Sequence, residues 1–272
     1  MGKLFRLYDP LKEGKGVKKD EPKKKTFFRF FEIYFNYFTK FLKAGLLRLI
    51  FFVSVILNGL GVVGMTYITR GAVVSKHTFL KEDFFETIKK NWKQALPVGI
   101  INLLITALIA FDLYFFTLNL TNDAIAGIGM GVAIFANIVF CAMKYYIYLL
   151  MITFDFKISK LYKNAFHLVF INLWRNLLVE LILFAIYAIP VALIYLRVPD
   201  NIVVILSLAF SLFVLPGFKS FLISFVAFPC IKKVMIDPYY EKNPDKDIEK
   251  RIALGILEPE KDPEDIIFTD RG

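Results

Sequence analysis

The sequence predicts an all-α fold: a polytopic membrane helical bundle of about six transmembrane helices with short interfacial helices. Three observations predict it. Of the 272 residues, 57% are hydrophobic and the mean hydropathy is +0.57, against about 45–50% apolar residues in a soluble domain. The excess is gathered in long blocks, as a bilayer requires. The basic residues lie between the blocks, and Trp92, Trp174, Tyr145, Tyr146 and Tyr148 fall near block ends, as an aromatic belt would.

The chain opens with a basic tail, residues 1–26. Residues 1–25 hold nine Lys/Arg and four acids, with Gly14, Gly16 and Pro22 among them. That composition belongs to a flexible cytoplasmic segment drawn to anionic lipid headgroups. No apolar segment of signal-peptide type precedes the first block, so the tail is expected to stay on the chain. Residues 27–41 are dense in Phe and Tyr, interrupted by polar residues at helical spacing, and predict an interfacial helix.

The transmembrane domain covers 27–228. Its spans are expected at about 41–57, 61–77, 95–117, 125–150, 173–195 and 201–228. Asn58-Gly59-Leu60-Gly61 should break the first helix from the second. The charge count sets the number. Residues 70–93 carry six Lys/Arg and 153–176 carry four, whereas 117–124 carry none and 196–200 only Arg197. Positive-inside counting places 70–93, 153–176 and both termini in the cytoplasm, which demands an even number of crossings and so two short spans before residue 77. The second span is the least hydrophobic and is expected among the others, its Gly61, Gly64, Gly71 and Ala72 admitting close neighbours. Gly127, Gly129 and Gly131 predict another small-residue packing face. Pro190 and Pro216-Gly217 should kink the last two spans. Residues 229–272 form a cytoplasmic tail, turn-rich over 238–244, with a short amphipathic helix over 245–257.

Between the second and third spans, Asp83–Gln94 predicts a helix lying on the cytoplasmic surface. Phe84 to Trp92 and Phe166 to Trp174 share a spacing of eight, and each Trp precedes a base and an amide side chain. The pair reads as two equivalent surface helices, whose Phe84, Phe85, Trp92, Phe166 and Trp174 form a candidate docking surface.

The formal charge of +10 points to anionic membrane lipids rather than nucleic acid, since no basic run carries a stacking platform of its own. No zinc-protease, nucleophile-elbow or phosphate-loop motif is present, and His77 and His167 lack clustered carboxylates. The reading is therefore not an enzyme, with no cofactor and no metal. Cys141 and Cys230 read as buried free thiols. The conspicuous chemistry is a set of charges inside apolar blocks: Arg48, Arg70, Lys144, Glu180 and Lys219. Each lies six to nine residues from an expected cytoplasmic end, or roughly 9–14 Å deep. Such charges are costly and pair or line cavities. They predict either a cytoplasm-facing basic pocket for an anion or lipid headgroup, or Glu180 paired with an arginine while the lysines reach for headgroups.

The sequence also resembles the YesL-like family of bacterial integral membrane proteins. The resemblance rests on Gly16-Val17-Lys18-Lys19-Asp20 with Pro22-Lys23-Lys24, on Gly64-Met65-Thr66-Tyr67-Ile68-Thr69-Arg70, on His77 with Asp83-Phe84-Phe85, on Lys90-Asn91-Trp92-Lys93-Gln94, and on Ile236 through Pro244. Where the family often has a Pro at the end of the first helix, this chain has Asn58-Gly59. The resemblance implies a multi-pass protein of the bacterial cell membrane. It also implies an accessory or regulatory role beside a carbohydrate transporter. No catalytic residues carry over. The two functional expectations are thus a partner of a carbohydrate uptake system and, as the alternative, a small carrier or anion- or lipid-binding protein.

Overall fold

A computed structural model describes residues 25–118, 124–196 and 201–243, with Ile248 and Arg251. The expectations for the basic tail and for nearly all of 245–257 lie outside these residues. Among them the chain is helical and contains no strand. The helices are α1 (Thr26–Asn36), α2 (Phe38–Val53), α3 (Asn58–Val73), α4 (Leu80–Leu118), α5 (Ala124–Met151), α6 (Ile158–Ile171), α7 (Leu173–Tyr195), α8 (Asn201–Phe213), α9 (Leu215–Ile231) and α10 (Asp237–Lys242). A 3-10 turn, Val55–Leu57, joins α2 to α3, and a π-helical turn, Lys232–Ile236, joins α9 to α10.

Three of these helices, α4, α5 and α7, are long and apolar enough to cross a membrane. The α8–α9 pair makes a fourth if it counts as one span bent by 45°. The bend falls at Val214, directly before Pro216-Gly217, where a proline ring ends the preceding helix. Pro190, by contrast, sits within an unbroken α7. Six spans are not reached. Each of α2 and α3 has 16 residues and is about 24 Å long, short of the roughly 30 Å hydrocarbon core.

The bundle is built around α3. Twelve of its 16 residues are buried, and α2, α4, α5 and α9 pack around it. Its sequence explains this: glycines remove bulk on several sides. A Cβ on Gly59 would sit 2.6 Å from the Ala95 carbonyl oxygen and 2.8 Å from the Gly99 Cα. A Cβ on Gly64 would sit 2.9 Å from the Phe84 ring. Helix axes can therefore close to backbone contact with α4, as small residues allow in membrane bundles. Thr69 completes the α9 contact, its hydroxyl 3.0 Å from Ser220 Oγ and 2.9 Å from Ser224 Oγ. The second segment therefore lies in the interior, as its weak hydrophobicity predicts.

Several expectations are corrected. Asp83–Gln94 is not a separate surface helix. It is the first part of α4, one helix of 39 residues and about 58 Å. The helix runs through Pro97, which costs it a backbone bond, because the flanking Ala95 and Val98 are fully buried and α3 packs along the segment. The helix break precedes Asn58-Gly59, at Ser54–Leu57. Residues 229–242 are helical: α9 continues through the π turn into α10, with Cys230, Ile231 and Ile236 buried. Residues 237–242 are helical rather than turn-rich. Tyr145, Tyr146 and Tyr148 are buried, not an interfacial belt. Gly127 and Gly131 face open space, and of that trio only Gly129 meets a neighbour, Phe116.

The interfacial helix α1 follows its pattern. Phe30 and Tyr34, one turn apart, pack on Phe218, Phe221 and Phe225 of α9, while Phe27, Phe28 and Phe35 stay exposed.

Candidate functional site: a cationic cavity

The ends of the bundle differ. The connections after α3 and α5 and the starts of α4 and α6 carry the lysines, and this end is called basic here. Next to it the helices pack tightly, with Ile68, Thr69, Phe84, Leu149, Leu150 and Phe221 fully or almost fully buried. Further from it the packing thins. Among the described residues α4 makes no extensive contact with α7 or α8, nor α5 with α8.

A cavity of about 530 Å³ lies where the two regions meet, walled by α2, α3, α4, α5, α7 and α9. Four of the five charges singled out in the sequence line it: Arg48 from α2, Lys144 from α5, Glu180 from α7 and Lys219 from α9. A drug-sized ligand occupies a cavity of this volume. Arg48 donates through one terminal nitrogen to Asn58 Oδ1 at 3.4 Å, while its buried Nε has no hydrogen-bond partner. Lys144 Nζ stands 5.1 Å from the centre of the Phe140 ring, and Lys219 Nζ 5.5 Å from that of Tyr187. The buried Oε1 of Glu180 is unpartnered. Among the described residues no ion pair within 4 Å joins these groups. The expected pairing of Glu180 with an arginine is not made, and both lysines line the cavity.

Three cations therefore face one carboxylate, all four residues half-buried. Removing an ion from water costs several kcal/mol even after relaxation. The protein offsets part of this with ring faces and neutral dipoles, and two cationic charges are in excess.

Arg70, the fifth charge, is elsewhere. Its terminal nitrogen donates to the Ile152 carbonyl oxygen at 3.3 Å and to Thr153 Oγ1 at 3.0 Å. Its guanidinium lies 5.2 Å from the Tyr67 ring centre and 5.9 Å from that of Phe228. It borders a separate hollow of about 450 Å³ at the basic end, where Lys76 and Lys90 alternate with Asp83, Glu86 and Asp155. There Lys90 Nζ lies 2.6 Å from Glu86 Oε1 and holds that carboxyl below its usual range. The signs there balance.

Thr69, in contact with Ser220 and Ser224, packs α3 against α9 beside the cavity. Val55, Leu103 and Phe184 on its wall are 60%, 38% and 73% exposed.

The candidate docking residues do not form one surface. Phe84 is fully buried against Gly64. Phe85, Trp92, Phe166 and Trp174 are exposed, Trp174 at 82%. The two helices are inequivalent: one is the start of α4, the other is α6, a separate helix ending at Asn172.

Sequence reasoning missed the polar neutral residues of the wall. Tyr148 accepts from Asn102 Nδ2 at 3.2 Å, and Asn102 Oδ1 accepts from Tyr162 at 2.8 Å. This chain of hydrogen bonds ties the cavity to α6. Asn58 and Asn102, lone amides in apolar blocks, were the signal that could have found it.

No family model, curated protein or solved structure matches this chain.

Proposed function

We propose that this chain is a multi-pass membrane protein that binds an anionic ligand in its intramembrane cavity. In this reading α4, α5, α7 and the bent α8–α9 pair cross the bilayer. The α2–α3 hairpin enters from the basic end and returns to it, so the even crossing count and the cytoplasmic placement of the basic segments are both kept. The carrying observation is the convergence of Arg48, Lys144 and Lys219, from three different helices, on one cavity with a single carboxylate. Isolated charges that served only to anchor helices would point to the headgroups instead. The pocket is preferred to a docking role because Phe84, one of the anchors such a role needs, is interior.

Inorganic phosphate serves as the test probe. The full chain in detergent is expected to gain thermal stability with phosphate and not with chloride at equal ionic strength. A ligand at a hundred times its Kd adds about 2.7 kcal/mol. Lys219→Met removes the gain. Identical midpoints in phosphate and chloride for the unaltered chain would contradict the reading.

A further inference from the structure

The walls of the cavity are of two kinds. The inner wall holds Arg48, Lys144 and Lys219. The rim is apolar and exposed, at Val55, Leu103 and Phe184. Among the described residues α8 packs against both α2 and α7, whereas neither α7 nor α8 makes extensive contact with α4, so the wall is unsealed between α4 and α7. Beyond the rim both helices continue with exposed apolar side chains, Leu108 and Phe111 on α4 and Val191 and Ile194 on α7. A water-soluble anion has no use for such an entrance. An amphiphile does, because its tail can stay among these side chains while its head enters sideways.

The charge count narrows the head. Three cations against Glu180 leave an excess of two. A phosphomonoester carries about −1.5 to −2 at neutral pH and matches that excess, whereas a phosphodiester carries one charge and leaves a cation unmatched. The three cations stand on separate helices, α2, α5 and α9, and so can surround a phosphate rather than contact one edge. Arg48 Nε is a buried, unpartnered donor. We infer that the cavity takes the phosphomonoester headgroup of a membrane lipid, entering between α7 and α4.

This inference rests on the anion-binding reading above, and the experiment separates the two. The full chain in detergent is titrated, by native mass spectrometry, with phosphatidic acid, with phosphatidylglycerol of the same tails, and with inorganic phosphate. Phosphatidic acid is expected to bind at least about tenfold tighter than phosphatidylglycerol, a difference of about 1.4 kcal/mol. Lys144→Met and Lys219→Met should each lose at least that factor. Lys219→Arg should retain binding. Glu180→Gln, which removes the opposing charge, should bind phosphatidic acid as tightly as the unaltered chain or more tightly, an outcome that a merely damaged fold would not give. Equal affinity for the two lipids, or phosphatidic acid binding indifferent to both lysine substitutions, would overturn the inference. Binding of inorganic phosphate without phosphatidic acid would overturn it and leave the anion site standing. Binding of neither would end both.

Discussion

Arg48 and Arg70 lie in one short hairpin and do different things. Arg48 lines the cavity with an unpartnered Nε. Arg70 is buried between aromatic rings and fastens the end of α3 to the carbonyl of Ile152 and the hydroxyl of Thr153. Removing a charged hydrogen-bond donor from such a place costs about 1–3 kcal/mol. Arg70→Met is therefore expected to lower the thermal midpoint while preserving the stabilisation by phosphate, and Arg48→Met to abolish that stabilisation. Equal effects of the two on the phosphate response would contradict the division. The sequence makes both arginines conspicuous, because a lone cation in an apolar block is costly wherever it points. It places all five charges at one depth. It does not disclose where α2 and α3 begin and end: Arg70 falls in the last turn of α3, at the basic end, and borders another hollow, whereas Arg48 lies deep in α2. The tyrosines were misread because the sequence does not disclose which face of a helix turns inward. Tyr145 and Tyr148 sit at a block's end, where a belt is expected, but the face they occupy turns inward to the cavity.

At the scale of elements, the apolar blocks with clean ends were legible. An α7 of Leu173–Tyr195 and an α5 of Ala124–Met151 follow expected spans of 173–195 and 125–150, since the change in polarity at each end coincides with the end of the helix. The first two segments and α4 were less so. In α4 a charged amphipathic stretch passes into an apolar one with only Pro97 between, and burial against α3 holds the two in one helix. The α2–α3 hairpin then reaches only to the level of Gly99, which abuts Gly59, while α4 continues for 19 more residues to Leu118, about 28 Å. The turn of the hairpin thus lies within the bundle's depth. In a background lacking Cys141 and Cys230, Ile56→Cys should resist a charged, impermeant maleimide from either side of sealed vesicles, whereas Leu118→Cys reacts from one side. Labelling of Ile56→Cys as fast as Leu118→Cys would show that α2 and α3 each cross the membrane.

The whole molecule divides into a packed half at the basic end and a looser half beyond the cavity. The first contains α3, with helices on several sides. The second consists of helix pairs, α4 with α5 and α7 with α8, joined through α5 and α7. The cationic cavity lies at the junction. Composition foretold the membrane, but not this division, which comes from glycines on α3 that admit close neighbours at one end only. The cavity also carries its own reporter: Cys141 lines it, its thiol donating to Asn137 Oδ1 at 3.6 Å, while Cys230 is buried. The rate at which a small thiol reagent alkylates Cys141, followed with and without inorganic phosphate, reads occupancy of the site in the unaltered chain. The account predicts that phosphate slows alkylation severalfold, the residual rate following the fraction of sites still empty, and that Lys219→Met removes the protection. A rate indifferent to phosphate in the unaltered chain would contradict an anion-binding cavity.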